Sequence, residues 1–201
     1  MARPKATPEH RRQVRRAIQS ATAELYREEG VAAISARAVA TRAGVSVGTI
    51  YSYFGDLTGL MQSLWTGRIA KLEEEFRARA GEFEDPIDRL EALLETYLRF
   101  GIEQTILYRN ALMFVRPAAL EPPKKQDLSA FAFPTLVTEA IRQGQVQGQI
   151  VDGDPVQLTQ LLWSGAHGAL ALPINMDRVD FTPTAEIVEV TKAGLMRMVR
   201  A

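Results

Sequence analysis

The spacing of apolar residues along this chain is that of α-helices. The first segment begins at Pro8 and ends before Gly30, and a stripe of apolar side chains recurs in it every three or four residues: Val14, Ala17, Ile18, Ala21 and Leu25. The same period returns in most later segments, with proline and glycine mainly at the joints. The pattern predicts an all-α protein of about nine helices.

The later helices are predicted from the same stripes and from their capping residues. They cover residues 56–81, 85–102, 105–114, part of 127–143, 154–173 and 183–199. Asp85-Pro86 and Asp154-Pro155 each supply an N-cap followed by a first-turn proline, and Pro183 is predicted as the first residue of the last helix. Pro134 either kinks or begins its helix, and residues 116–126 form a loop.

A pair of short helices stands out near the N-terminus. Ser35 can cap a helix that ends at Ala43, Gly44 can adopt the left-handed conformation that stops it, and Ser46 can cap a second helix that runs through Tyr53. This is a helix-turn-helix, and with the preceding long helix it predicts a three-helix unit. Its inner contacts are expected from Val39, Ala43, Val45 and Ile50.

The outward side of this pair carries no acidic residue. A helix with little bulk at its N-terminal end can enter the DNA major groove, which is about 12 Å wide, while tyrosines reach flanking phosphates. The candidate DNA-binding residues are Arg37, Thr41, Arg42, Ser46, Val47, Gly48, Thr49, Tyr51 and Tyr53. The alternative is a helical hairpin whose polar face is only solvated.

The charge distribution favours the DNA-binding interpretation. The net charge is zero, but residues 1–53 hold nine basic against four acidic residues, and the remainder holds fifteen against twenty. A basic head on an acidic body suits a polyanion-binding module joined to a second domain. Residues 1–8 are expected to form a flexible basic arm that can lie along phosphates or in a minor groove.

Composition excludes several other classes. The chain has 201 residues, 46% of them hydrophobic, and no cysteine, so disulfides and thiolate chemistry are absent. No apolar run reaches the roughly 18 residues of a membrane span, and a cytoplasmic location is expected. The length suits two domains, predicted as a DNA-binding domain over residues 1–54 and a helical ligand-binding and dimerisation domain over residues 55–201.

The second domain contains more aromatic and thioether side chains than a tight aliphatic bundle needs. Such residues line ligand sites between helices, although each one alone is more often ordinary core. The candidate ligand-binding residues are Tyr97, Phe100, Gln104, Tyr108, Arg109, Met113, Phe114, Phe131, Trp163 and His167. They predict a mainly apolar or aromatic small-molecule effector.

An enzymatic role is not expected. Ser164 and His167 are neighbours on one helix, but no orienting acid or oxyanion site accompanies them. His10 and His167 are the two histidines, and they cannot form a multi-histidine metal site. We therefore predict no catalytic residue, no metal and no cofactor.

The segment Ala43-Gly-Val-Ser-Val-Gly-Thr-Ile-Tyr-Ser-Tyr-Phe54 resembles the recognition segment of TetR-type (tetracycline-repressor-like) transcriptional regulators over twelve positions. Leu57 stands where members commonly carry a lysine near a backbone phosphate, so that contact is not carried over. Leu162-Trp-Ser-Gly-Ala-His-Gly168 resembles the Trp-x-x-x-His-Gly signature of one subgroup.

The resemblance implies a ligand-responsive regulator, most simply a repressor that leaves a palindromic operator when an effector binds. It also implies a homodimer formed by the last two helices, and a helix over residues 56–81 that transmits ligand binding to the recognition helices. A transcriptional activator and an adaptor that binds ligand but not DNA remain alternatives on the same scaffold.

Overall fold

The computed structural model describes residues 7–113, 125–176 and 178–201. Its ten α-helices are α1 Pro8–Glu29, α2 Ala36–Ala43, α3 Val47–Phe54, α4 Leu57–Ser63, α5 Thr66–Ala80, α6 Pro86–Glu103, α7 Thr105–Leu112, α8 Ala132–Val146, α9 Pro155–Asn175 and α10 Thr184–Val199. Two 3₁₀ helices cover Val31–Ala33 and Leu128–Ala130. The all-α fold class is confirmed. The basic arm at 1–6, Phe114 and most of the loop at 116–126 lie outside the described residues.

The described chain separates into two compact units. The first contains residues 7–67, and the second contains residues 68–113 together with the described residues from 125 onward. Helices α1 to α4 lie in the first unit, and α6 to α10 lie in the second.

The prediction of one continuous helix over residues 56–81 was wrong. The helix is interrupted at Leu64 and Trp65, whose backbone N–H groups donate to the carbonyls three residues earlier, each at 3.1 Å. This shorter bonding pattern tightens the turn into a 3₁₀ form and divides the segment into α4 and α5. The division accounts for the tenth helix.

The predicted N-caps of four helices are confirmed. The side chains of Ser35, Ser46, Asp85 and Asp154 each accept a hydrogen bond from a backbone N–H in the first turn of the helix that follows. Gly44 adopts φ 66°, the left-handed conformation that ends α2. Local capping chemistry therefore determines where these helices begin.

The prolines of the second unit differ in detail from the predictions. Pro134 is the third residue of α8, where a proline fits the first turn without kinking the helix, and α8 runs from Ala132 to Val146. Pro183 is the N-cap of α10 and not its first residue. Pro173 lies inside the last turns of α9, which continues to Asn175.

The core of the second unit is built around α6. Ten of its residues are buried, and the helix contacts α8, α9 and α10. Two glycines permit close packing: a Cβ on Gly165 would lie 2.6 Å from Leu195 of α10, and one on Gly101 would overlap Leu170 of α9. The glycine at 165 therefore serves packing within the chain.

Candidate DNA-binding and ligand-binding sites

A small apolar core fixes the two helices of the turn motif. Val39 of α2 and Ile50 of α3 have no exposed surface, and they share a cluster with Ile18, Leu25 and Leu60 of the same unit. Ala43 and Val45 pack partly buried against this cluster, as predicted. Ile50 is the fully buried residue of α3, and Val47 and Phe54 of the same helix pack partly buried against the cluster, so these three side chains fix which face of α3 is exposed.

The outward residues of the motif divide into exposed and half-buried positions. Thr41, Ser46, Gly48 and Tyr51 are exposed, and so are Arg37 and Arg42. Val47, Thr49 and Tyr53 are half-buried, and Val47 packs against the core. The Ser46 hydroxyl lies 2.8 Å from that of Thr49, so the two hydroxyls at the start of α3 orient one another.

Arg42 is engaged with acidic residues of α1. Its guanidinium donates to Glu28 at 2.9 Å and lies 3.5 Å from Glu29 and 4.0 Å from Glu24. The hydrogen bond to Glu28 and the charges of the three acids raise the pKa of Arg42. These ion pairs connect Arg42 of α2 to the acidic residues of α1.

Two arginines of α1 lie beside the C-terminal end of α3, and sequence reasoning did not select them as site residues. Arg15 donates to the Tyr53 carbonyl at 3.0 Å and lies 4.5 Å from the centre of the Phe54 ring. Arg11 lies 5.8 Å from the centre of the Tyr53 ring. Their spacing of four residues, away from the apolar stripe of α1, is the signal that could have identified them. They add positive charge at this end of α3.

The second unit contains a cavity of about 530 Å³. Its described walls come from α5, α6, α7, α8, α9 and the residue that precedes α8. The lining residues are Ile69, Leu72, Glu73, Phe76, Tyr97, Ala111, Leu112, Phe131, Phe133, Pro134, Trp163, Ser164 and His167. A volume of this size is typical of small-molecule sites.

The structure brings together part of the predicted ligand set. Tyr97, Phe131, Trp163 and His167 line the cavity. The remaining described candidates do not: Phe100 and Tyr108 are buried in the core, Gln104 and Arg109 are exposed, and Met113 lies at the end of α7.

The lining also contains residues that were not selected, among them Glu73 and Phe76 of α5. The apolar stripe of α5 and the aromatic pair Phe131 and Phe133 were the available signals. Neither signal distinguishes a cavity wall from a solid core.

Two tyrosines hold His167 at the cavity wall. The hydroxyls of Tyr97 and Tyr108 lie 2.9 Å and 2.6 Å from His167 Nδ1. A neutral imidazole that accepts at Nδ1 carries its proton on Nε2. Burial lowers the pKa of His167 and raises the pKa of both tyrosines, so all three groups are neutral at pH 7.

The lowered pKa of His167 predicts a loss of stability in mild acid. As pH falls below 6.5, the ordinary pKa of histidine, the unfolded chain binds a proton that the folded chain resists. The free energy of unfolding should therefore fall between pH 7 and 5, down to the folded pKa. Denaturant titrations at several pH values measure this slope.

The matched variants for this measurement are His167→Gln, which should flatten the slope, and His10→Gln, which should retain it. Hydrogen bonds from Gln149 and Ser129 lower the pKa values of Asp85 and Asp127 below the ordinary value of 3.8. Protonation of these two carboxylates therefore changes stability at a lower pH than the range of pH 7 to 5 that is used for His167. An unchanged slope in His167→Gln would contradict the assignment.

Within the described residues, no group of three histidine or acidic side chains could hold a metal ion. Among the described helices, none combines the length and the hydropathy that a membrane span requires.

Comparison with known proteins connects this geometry to a family. Residues 18–64, from the middle of α1 to just past α4, match the family model described as bacterial regulatory proteins, tetR family. No curated protein has a matching sequence.

Solved structures resemble the whole fold. A putative tetR family transcription regulator from Shewanella sp. PV-4 has 16% identity and a TM-score of 0.65, with 94% of this chain and 98% of that chain covered. A TetR family transcription regulator from Marinobacter aquaeolei VT8 has 20% identity and a TM-score of 0.64, covering 96% and 99%. The fatty acid degradation regulator FadR from Bacillus halodurans has 18% identity and a TM-score of 0.66, covering 96% of each. At these identities the likeness shows a shared fold.

Proposed function

We propose that this chain is a TetR-family transcription regulator that binds a palindromic DNA operator as a homodimer and is released by a small molecule. One observation carries the DNA-binding part. The exposed side of α2 and α3 lacks acidic residues and has small or hydroxylated side chains at the start of α3, within a segment that matches the family model. Such a helix end fits a major groove.

The roles of individual residues follow from their positions. Ser46 and Thr49 present hydroxyls, and Gly48 presents no side chain, at the end of α3 that would meet base edges. Tyr51 is 47% exposed and is assigned to a flanking phosphate. Arg11 and Arg15 lie at the other end of α3 and supply the phosphate attraction that Leu57 cannot provide.

The ligand-responsive part rests on the cavity. We assign it to a mainly apolar or aromatic effector that favours a state less able to bind DNA, which makes the protein a repressor. Moving the population from mostly competent to mostly incompetent requires about 5 kcal/mol of preference between the two states. The segment from Leu162 to Gly168 supports membership of the Trp-x-x-x-His-Gly subgroup, and a DNA-binding role places the protein in the cytoplasm.

The dimer is assigned to α9 and α10. These helices pack against each other, and exposed apolar side chains remain on both: Leu161 and Leu172 on α9, Val190 and Met198 on α10. Two-fold pairing of such faces would bury them and present two recognition helices to half-sites about 34 Å apart or a multiple of that distance.

Selection of bound sequences from a random duplex library tests this proposal. The expected result is a palindromic sequence whose affinity falls steeply with salt. An absence of enrichment at low salt would contradict DNA binding and favour the adaptor. A transcription assay on the selected sequence then distinguishes a repressor from an activator.

The division of roles on α3 gives a second prediction. Tyr51→Phe removes the proposed phosphate contact and should weaken binding to selected and random duplexes equally, by about tenfold. Thr49→Ala should weaken binding mainly to the selected sequence, since one good base contact is worth about 1–3 kcal/mol. Anisotropy titrations on both duplexes measure the two ratios. Equal losses on both duplexes for both variants would refute the division.

A further inference from the structure

The cavity of the second unit is lined by a connected group of aromatic rings. The centre of the Phe133 ring lies 4.9 Å from that of Tyr97, 5.1 Å from that of Phe76 and 6.0 Å from that of Trp163. The faces of aromatic rings carry partial negative charge and attract cations within about 6 Å. A wall of aromatic rings therefore favours cations over anions, in addition to favouring apolar groups.

Glu73 adds a formal negative charge to the same wall. Among the described lining residues, it is the one with an acidic side chain. Its side chain is 20% exposed, and its Oε2 atom accepts from the backbone N–H of Ala132 at 2.8 Å and from Arg77 at 3.1 Å. The Arg77 side chain is 60% exposed and does not line the cavity, so water weakens its compensation of the Glu73 charge.

No described lining residue supplies a compensating positive charge. Burial lowers the pKa of His167 and keeps it neutral at pH 7, where its Nδ1 atom faces two tyrosine hydroxyls. A carboxylate or phosphate in this cavity would meet Glu73 without a cation to pair with. Placing a charge in an apolar site without a partner is costly.

We propose that the cavity binds lipophilic cations, meaning organic ions with one positive centre surrounded by aromatic or alkyl groups. This inference rests on the proposed ligand-responsive function and names the class of its effector. Glu73 pairs with the positive centre, and the rings of Phe76, Phe133 and Trp163 contact its apolar substituents. The volume of about 530 Å³ admits ions of drug-like size.

Two ions of nearly the same shape and opposite charge test the proposal directly. Tetraphenylphosphonium and tetraphenylborate are titrated into the full-length protein by isothermal calorimetry. The cation should bind at least about tenfold more tightly than the anion. Equal binding, tighter binding of the anion, or binding of neither ion overturns the proposal.

Glu73→Gln tests the assigned residue. The amide oxygen of glutamine can still accept from the Ala132 N–H, so the local structure is retained. This variant should lose about tenfold in affinity for the cation and should not lose affinity for the anion. Glu74→Gln is the matched control, because Glu74 is exposed on the same helix and does not line the cavity. Equal losses for both ions, or equal losses in both variants, contradict the role of Glu73.

Phe131→Leu provides a test that does not disturb the core. Phe131 lines the cavity but is 40% exposed, so the folded state should tolerate leucine. Loss of the ring should reduce affinity for the cation several-fold more than for the anion. A uniform loss would contradict the contribution of the rings to charge selection.

The same preparations separate this inference from the proposed function. If a palindromic duplex is selected and neither ion binds, the lipophilic-cation site is overturned and DNA binding stands. If the cation binds through Glu73 and no duplex is selected, the site stands and the regulator proposal fails.

Discussion

Gly48→Glu should lower affinity for duplex DNA at least about a hundredfold while the protein remains folded. Gly48 is exposed in the first turn of α3, and a Cβ atom there would have Ser46 Oγ as its one neighbour, at 3.7 Å. A carboxylate in this turn interacts favourably with the helix dipole, so folding is not impaired. In the proposed complex the same carboxylate would face phosphates and base-edge acceptors. A hundredfold loss corresponds to about 2.7 kcal/mol.

Gly48→Gln separates charge from bulk in this experiment. Glutamine has nearly the same size as glutamate but no charge, so its loss should be about tenfold smaller. Anisotropy titrations at two salt concentrations measure affinity, and thermal unfolding checks the fold. If both variants bind duplex like the unsubstituted protein, α3 does not enter the groove.

The helix-turn-helix could be predicted closely because its signals are local. Ser35 and Ser46 each cap a helix through a residue three positions away, and Gly44 ends α2 through its own backbone conformation. Each of these helix starts and ends depends on a few neighbouring residues, so it can be predicted from the sequence. The burial of Val39 and Ile50 also follows from the helical spacing of apolar residues and from the turn between α2 and α3.

The interruption between α4 and α5 had no such signal. Leu64 and Trp65 are neither glycine nor proline, and the apolar spacing continues across them. The tightened turn appears only in the backbone hydrogen bonds to Met61 and Gln62. A pattern of apolar residues reports which face is buried but not whether the backbone bonds to the third or the fourth residue.

The lining of the cavity depends on packing between distant segments. Phe100 and Phe131 are equivalent as candidates in the sequence, yet Phe100 is 4% exposed in the core and Phe131 is 40% exposed at the cavity. Glu73 was not considered, since a charged residue between apolar neighbours on a helix normally faces solvent. Its place at the wall becomes visible only when α8 contributes the Ala132 N–H.

Arg42 shows the same limit for charged residues. Arg42 was predicted to bind DNA. The sequence does not reveal that its guanidinium lies 2.9 Å from the carboxylate of Glu28, fourteen positions earlier. Its assignment to DNA binding remains a prediction. Arg42→Ala would also remove a contact between α1 and α2, so any loss of DNA binding must be compared with the stability of the first unit.

Val190→Glu should convert the proposed dimer into monomers. Val190 is 64% exposed on α10, one of the two helices assigned to the interface. A two-fold interface contains every substitution twice, so two carboxylates would be buried in one apolar contact without partners. The dissociation constant of the dimer should rise at least about a hundredfold. Sedimentation at micromolar concentration should then give 22.3 kDa instead of twice that mass.

Val146→Glu is the matched control for the dimer interface. Val146 is 90% exposed at the end of α8, outside the two helices assigned to the dimer, so the same change there should leave the mass unchanged. Loss of the dimer should also weaken operator binding, because two linked half-sites are bound with an avidity that separate monomers lack. If Val190→Glu remains a dimer, or if both variants dissociate, α10 does not form the specific interface. A monomeric Val190→Glu variant with unchanged operator affinity would contradict the proposal, because tight binding to a palindromic operator is expected to require the dimer.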